Sequence, residues 1–72
     1  MIDGLIDRLK LFLQNETYTY IKDIFEYNFN GLVLEVKEHS FLFLDDKLGK
    51  IEISFSDVVV LTYSTRNRGV GK

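Results

Sequence analysis

The chain contains a single histidine, His39, and no cysteine, which sets a low ceiling on the chemistry it can host. A nucleophile–base–acid set could be drawn from Ser56, His39 and Asp57, but no nucleophile-elbow pattern surrounds the serine. The serines at 40, 54, 56 and 64 have no histidine beside them, apart from the His39-Ser40 pair itself. Neither a disulfide staple nor a zinc centre is available. Asp45 and Asp46 could meet a hard cation, yet adjacent carboxylates on an extended chain point to opposite faces, and an oxygen-rich loop is missing. A solvated turn is the simpler reading of that pair. No glycine-rich phosphate loop or dinucleotide fingerprint is present. The expectation is a protein that is not an enzyme and carries no cofactor or metal.

Binding residues are the next candidates. Lys37 could contact a phosphate and His39, beside Glu38, could stack on a base; a solvated strand end and a solvated turn are the plainer alternatives. Arg66, Arg68 and Lys72, with Asn67 and two glycines, make residues 65–72 a flexible basic arm able to neutralise about two or three phosphates. A merely soluble terminus would have the same composition. The formal net charge of −2 argues against gripping DNA or RNA by bulk electrostatics, which normally needs a strongly basic footprint. Tyr18, Tyr20, Phe25, Tyr27 and Phe29 could form a stacking platform. Asp23 and Glu26 lie among them with only Lys22, so core duty is expected, with Tyr18 and Tyr20 the best candidates for exposure.

These residues must be positioned by a small body. Seventy-two residues suit one domain, which at this size buries only about 60% of the surface its unfolded chain exposes. Leu5, Ile6, Leu9, Phe12 and Leu13 recur at helical spacing with Asp7, Arg8, Lys10 and Gln14 between them, predicting an amphipathic helix over about 3–15. Leu11 falls off the stripe, and Asp3 is the expected N-cap. From Thr17 the composition turns β-branched and aromatic, predicting strands near 17–25, 29–38, 40–45, 50–55 and 58–64. Asn28 to Gly31 is expected to supply a turn or bulge, Glu38-His39-Ser40 a tight turn, and Asp45 to Lys50 a hairpin loop in which Gly49 takes positive φ. The domain therefore spans 1–64, helix first and then a five-stranded antiparallel β-barrel over 17–64. Its helix is too short to stand alone and should cap the barrel.

Leu32, Leu34 and Val36 alternate with polar or smaller partners, as do Ile51, Ile53 and Phe55, which marks half-buried strands. Phe41 to Leu44 and Val58 to Leu61 are apolar on both faces and need covering twice, once by the core and once by the helix or a partner chain. The chain has no proline, so no strand edge is blocked by that device. Its longest apolar runs are far short of the roughly 20 residues that span a bilayer. The N-terminal residues Met1 to Asp7 carry two acids and no basic region, unlike a leader sequence, so a cytoplasmic setting without membrane contact is expected.

A short helix followed by five strands resembles the Sm-like family, whose small, strongly bent SH3-like barrels form rings that bind uridine-rich or adenine-rich RNA. The resemblance covers nearly the whole chain in element order. Phe29-Asn30-Gly31-Leu32-Val33 fits the opening of the family's first motif, and Leu42-Phe43-Leu44 followed by Asp46 fits its close. Lys37 and Phe41 stand where the motif has aspartate and asparagine. Ile53 to Leu61 matches the apolar frame of the second motif, with Ser54-Phe55 replacing its Arg-Gly pair. The resemblance implies a homo-oligomer, with Ile51 and Ile53 of one subunit meeting Val58, Val59, Val60 and Leu61 of the next. It implies weak RNA contact at most, through Lys37, His39, Arg66 and Arg68, because the base-reading groups are replaced. The alternative is a protein-interaction module of the same barrel shape.

Overall fold

The computed structural model describes residues 2–65 of the chain. The expected tail, including Arg66 and Arg68, lies outside the described residues apart from Thr65. Helix α1 spans Leu5–Asn15, and its stripe does what its spacing implies: Leu5 and Leu9 are fully buried while Leu11 is half exposed. Ile6, Phe12 and Leu13 pack against the same core from its flanks. The start differs from expectation. Gly4, at φ 71°, is the N-cap and no side chain caps the helix. The left-handed turn at Gly4 suits glycine and leaves Asp3 outside the capping position. At the other end Glu16 adopts φ 52°, and the N–H groups of Glu16 and Thr17 return to the carbonyls of Leu13 and Phe12 at 3.2 and 3.0 Å. This paired return closes the helix with orphan carbonyls satisfied.

Five strands follow: β1 Thr19–Asp23, β2 Asn28–Val36, β3 Ser40–Asp45, β4 Gly49–Ser54 and β5 Val58–Tyr63. They form one antiparallel sheet in the order β4-β3-β2-β1-β5. The molecule is thus mostly β with an N-terminal helix, as expected. The sheet is not closed, because β4 and β5 do not pair with each other. A 3₁₀ turn over Phe55–Asp57 carries the chain from β4 to the far side of β1. Phe55 anchors that crossing: it is buried, its ring stacks on Phe41 with centroids 6.2 Å apart, and its N–H donates to the His39 carbonyl. Among the described residues no helix is long and apolar enough to cross a membrane.

The core joins Leu5 and Leu9 to Ile21, Phe29, Val33, Phe41, Phe43, Ile53, Phe55, Val58 and Leu61. Gly31 sits inside β2 and supplies no turn. A Cβ there would lie 1.7 Å from the Leu44 carbonyl oxygen, so the glycine permits close approach of β3 to β2. Phe25 and Tyr27, expected in the core, are each 64% exposed. The buried Asp23 carboxylate accepts the N–H groups of Phe25 and Tyr27 at 2.9 and 3.0 Å, and this local turn holds the β1–β2 loop away from the core. The second covering anticipated for β3 and β5 is only partial within the described chain: Leu42 and Val60 are half-buried, while Leu44 and Val59 stand exposed, as does Leu34 on β2.

Candidate functional site

Among the described residues no side-chain hydrogen bond or ion pair joins Ser56, His39 and Asp57, although the His39 carbonyl accepts from the Phe55 N–H next to Ser56. Ser56 and Asp57 lie on the 3₁₀ turn, and the His39 side chain is fully solvated, its Nε2 only 3.9 Å from Glu38 Oε1. Asp45 is buried, accepting from the N–H groups of Asn30, Lys47 and Leu48. That carboxylate shapes the β3–β4 loop. Asp46 is exposed and accepts a hydrogen bond from the Tyr18 hydroxyl, while the Tyr20 hydroxyl donates to Asn28. Both tyrosines are half-buried.

Of the residues expected to meet RNA, Lys37 and His39 are described, whereas Arg66 and Arg68 lie outside the described residues. Lys37 and His39 flank the turn after β2, and the Lys37 ammonium lies 3.6 Å from Glu52 Oε2. The chain leaves β5 beside the opposite end of β2, where Ser64 Oγ donates to Asn30. Of the expected interface residues, Ile53, Val58 and Leu61 serve the chain's own core, Ile51 and Val60 are half-buried, and Val59 is half exposed.

What the fold leaves open is its two sheet edges, and they differ. In an antiparallel ladder, opposed residues alternate between hydrogen-bonded and non-hydrogen-bonded pairs. The Phe55 N–H to His39 carbonyl bond fixes the phase for β3 and β4. Phe41 with Ile53, and Phe43 with Ile51, are therefore the bonded pairs of that register. The main-chain groups of Lys50, Glu52 and Ser54 consequently point to the free side of β4, with their side chains on the exposed outer face. For β5 the Ser64 N–H to Tyr18 carbonyl bond makes Tyr20 with Thr62 a bonded pair. Leu61 and Tyr63 therefore turn their main-chain groups outward. The Leu61 carbonyl is already engaged: Arg8 Nη2, reaching from α1, donates to it at 2.5 Å.

Beside β4 lies an open groove of about 480 Å³ lined from β1, β2, β4 and the turn before β5. Tyr27, Phe29, Leu48, Ile51 and Ile53 provide its apolar walls, and Asp23, Glu52 and Asp57 add carboxylates. The Glu52 carboxyl is held below the usual range, first by the Ser40 hydroxyl donating to Oε2 at 2.5 Å and then by the Lys37 ammonium. Ile51 and Ile53 were legible as apolar alternation. Lys50-Ile51-Glu52 carried a further signal, opposite charges two residues apart on one face, and Arg8 had no sequence signal beyond its place on the polar side of α1. No protein-family model, no curated protein and no solved structure matches the chain.

Proposed function

We propose that this chain is a non-enzymatic, self-associating module, an open barrel of Sm-like type whose copies join through unpaired sheet edges. The observation that carries the reading is the free edge of β4, which presents the main-chain groups of Lys50, Glu52 and Ser54 next to an apolar groove. An unpaired row of donors and acceptors is a template for strand addition, and no proline blunts it. Apolar surface beside such an edge gives association a hydrophobic contribution that main-chain hydrogen bonds alone lack. The exposed Leu34, Leu44 and Val59 add surface that a neighbouring copy would cover. The helix-then-meander order and the bulges at Val33/Glu35 and Lys22/Asp23 support the barrel-like reading, since bulges increase strand bend and twist.

Weak RNA contact through Lys37, His39, Arg66 and Arg68 is not favoured by any described feature, and Lys37 is already paired with Glu52. Sedimentation velocity from low micromolar to near-millimolar protein tests the main reading. Concentration-dependent growth beyond the monomer is expected. A monomer throughout that range overturns it.

A further inference from the structure

Resting on the self-association just proposed, we infer that the partner of the β4 edge is the β4 edge of a second copy, joined antiparallel about a two-fold axis through Ile51. Three observations select this arrangement.

The first is face matching. In a regular ladder, hydrogen-bonded partners carry side chains on the same face. The outward-pointing residues of β4, Lys50 and Glu52, have exposed side chains, whereas on β5 outward-pointing Leu61 has a buried one and only Tyr63, at the strand's end, an exposed one. A regular β4-to-β5 ladder would set Glu52 of one copy on the core face of Leu61 of the next. Joining β4 to β4 brings outer face to outer face and core face to core face.

The second is charge. With Ile51 on the axis, Lys50 stands opposite Glu52 of the second copy and Glu52 opposite its Lys50. Two opposite-charge cross-strand pairs form by symmetry. Among the described residues Lys50 has no ion pair, and the intramolecular partners of Glu52 both use Oε2, leaving Oε1 to face the new lysine. On the core side, Ile51 meets Ile51 and the two apolar grooves become neighbours.

The third is that the competing edge is partly occupied. Arg8 already donates to the outward carbonyl of Leu61, and its guanidinium stands where an incoming strand would place an N–H. Long cationic side chains on an edge are a known means of discouraging strand addition. Arg8 thereby directs pairing to β4.

The chain has no native cysteine, so Ile51→Cys introduces a unique thiol. In the non-hydrogen-bonded pair at the axis, the two Cα atoms would lie roughly 4.5 Å apart, within disulfide reach. A covalent dimer on mild oxidation is expected from Ile51→Cys and not from Val59→Cys. Charge reversal provides an independent readout: Lys50→Glu and Glu52→Lys should each weaken association about tenfold by creating two like-charge pairs, and an equimolar mixture of the two variants should restore it as a heterodimer. Circular dichroism of each variant checks that it is folded; should Glu52→Lys fail to fold, the Ile51→Cys crosslink alone decides. Association of the native chain without the Ile51→Cys crosslink and without restoration on mixing overturns the β4-to-β4 arrangement while leaving self-association standing. A native chain that stays monomeric overturns both.

Discussion

The guanidinium of Arg8, on the first turns of α1, donates to the carbonyl of Leu61, 53 residues later on the outer side of β5. The contact ties the helix to the last strand and satisfies a main-chain acceptor that has no strand beside it. Replacing Arg8 with Ala should lower stability by about 1 kcal/mol, since hydrogen bonds to charged groups are among the stronger ones but this one is only partly buried. It should also raise the assembly order, because the second edge becomes available. Urea denaturation and sedimentation of Arg8→Ala measure the two effects separately.

Gly31→Ala should be far more damaging than a usual glycine replacement. The added methyl would meet the Leu44 carbonyl oxygen at 1.7 Å, and β2 and β3 would have to separate along their bonded register. A loss of about 2 kcal/mol or more is expected, with failure to fold as the extreme. The urea midpoint reads it directly.

Asp45→Ala removes the acceptor for three N–H groups, those of Asn30, Lys47 and Leu48. A loss of about 1–2 kcal/mol is expected because three part-buried hydrogen bonds to a charged acceptor are lost. Asp45→Asn should recover part of it, and faster amide exchange in Lys47 and Leu48 would locate the damage in the β3–β4 loop.

Phe25 and Phe41 should respond in opposite ways. Phe41 is fully buried and packs on the rings of Phe43 and Phe55, so Phe41→Ala should cost about 3–5 kcal/mol or prevent folding. Phe25→Ser, at a 64% exposed loop position, should change stability by no more than about 0.5 kcal/mol. Thermal unfolding of the two variants checks the contrast.

Glu52 makes stability pH-dependent with a defined sign. Its carboxyl is held below the ordinary value of 4.5 by Ser40 and Lys37, so the folded chain favours the ionised form. That contribution is fully present above 4.5 and is lost as pH falls through the lower folded value. The difference in unfolding midpoint between the native chain and Glu52→Gln should therefore shrink as pH is lowered through that window.

β-branched and aromatic runs between readable turns made β3, β4 and β5 legible to within one position at each end, with alternation added in β4, because strand propensity and a period of two follow from local backbone geometry alone. The helical stripe was legible for the same reason, down to the exclusion of Leu11. Phe25 and Tyr27 were misplaced into the core because hydrophobicity takes no account of the Asp23 carboxylate, which folds the β1–β2 loop around its own N–H groups. Gly31 looked like a turn residue. Its actual reason is a neighbour, the Leu44 carbonyl, that only strand pairing brings there.

The sequence by itself determined where the helix and strands lie, which side chains could fill the core, and which chemistries are excluded by one histidine and no cysteine. Those are matters of composition and of periods of one helical turn or one pleat. Tertiary structure decided which strands became edges, that Lys50, Glu52 and Ser54 turn their main-chain groups outward, and that Arg8 reaches Leu61. Each depends on the phase of hydrogen bonds between segments distant in the chain. A one-residue slip in that phase would exchange the inward and outward groups of an entire strand.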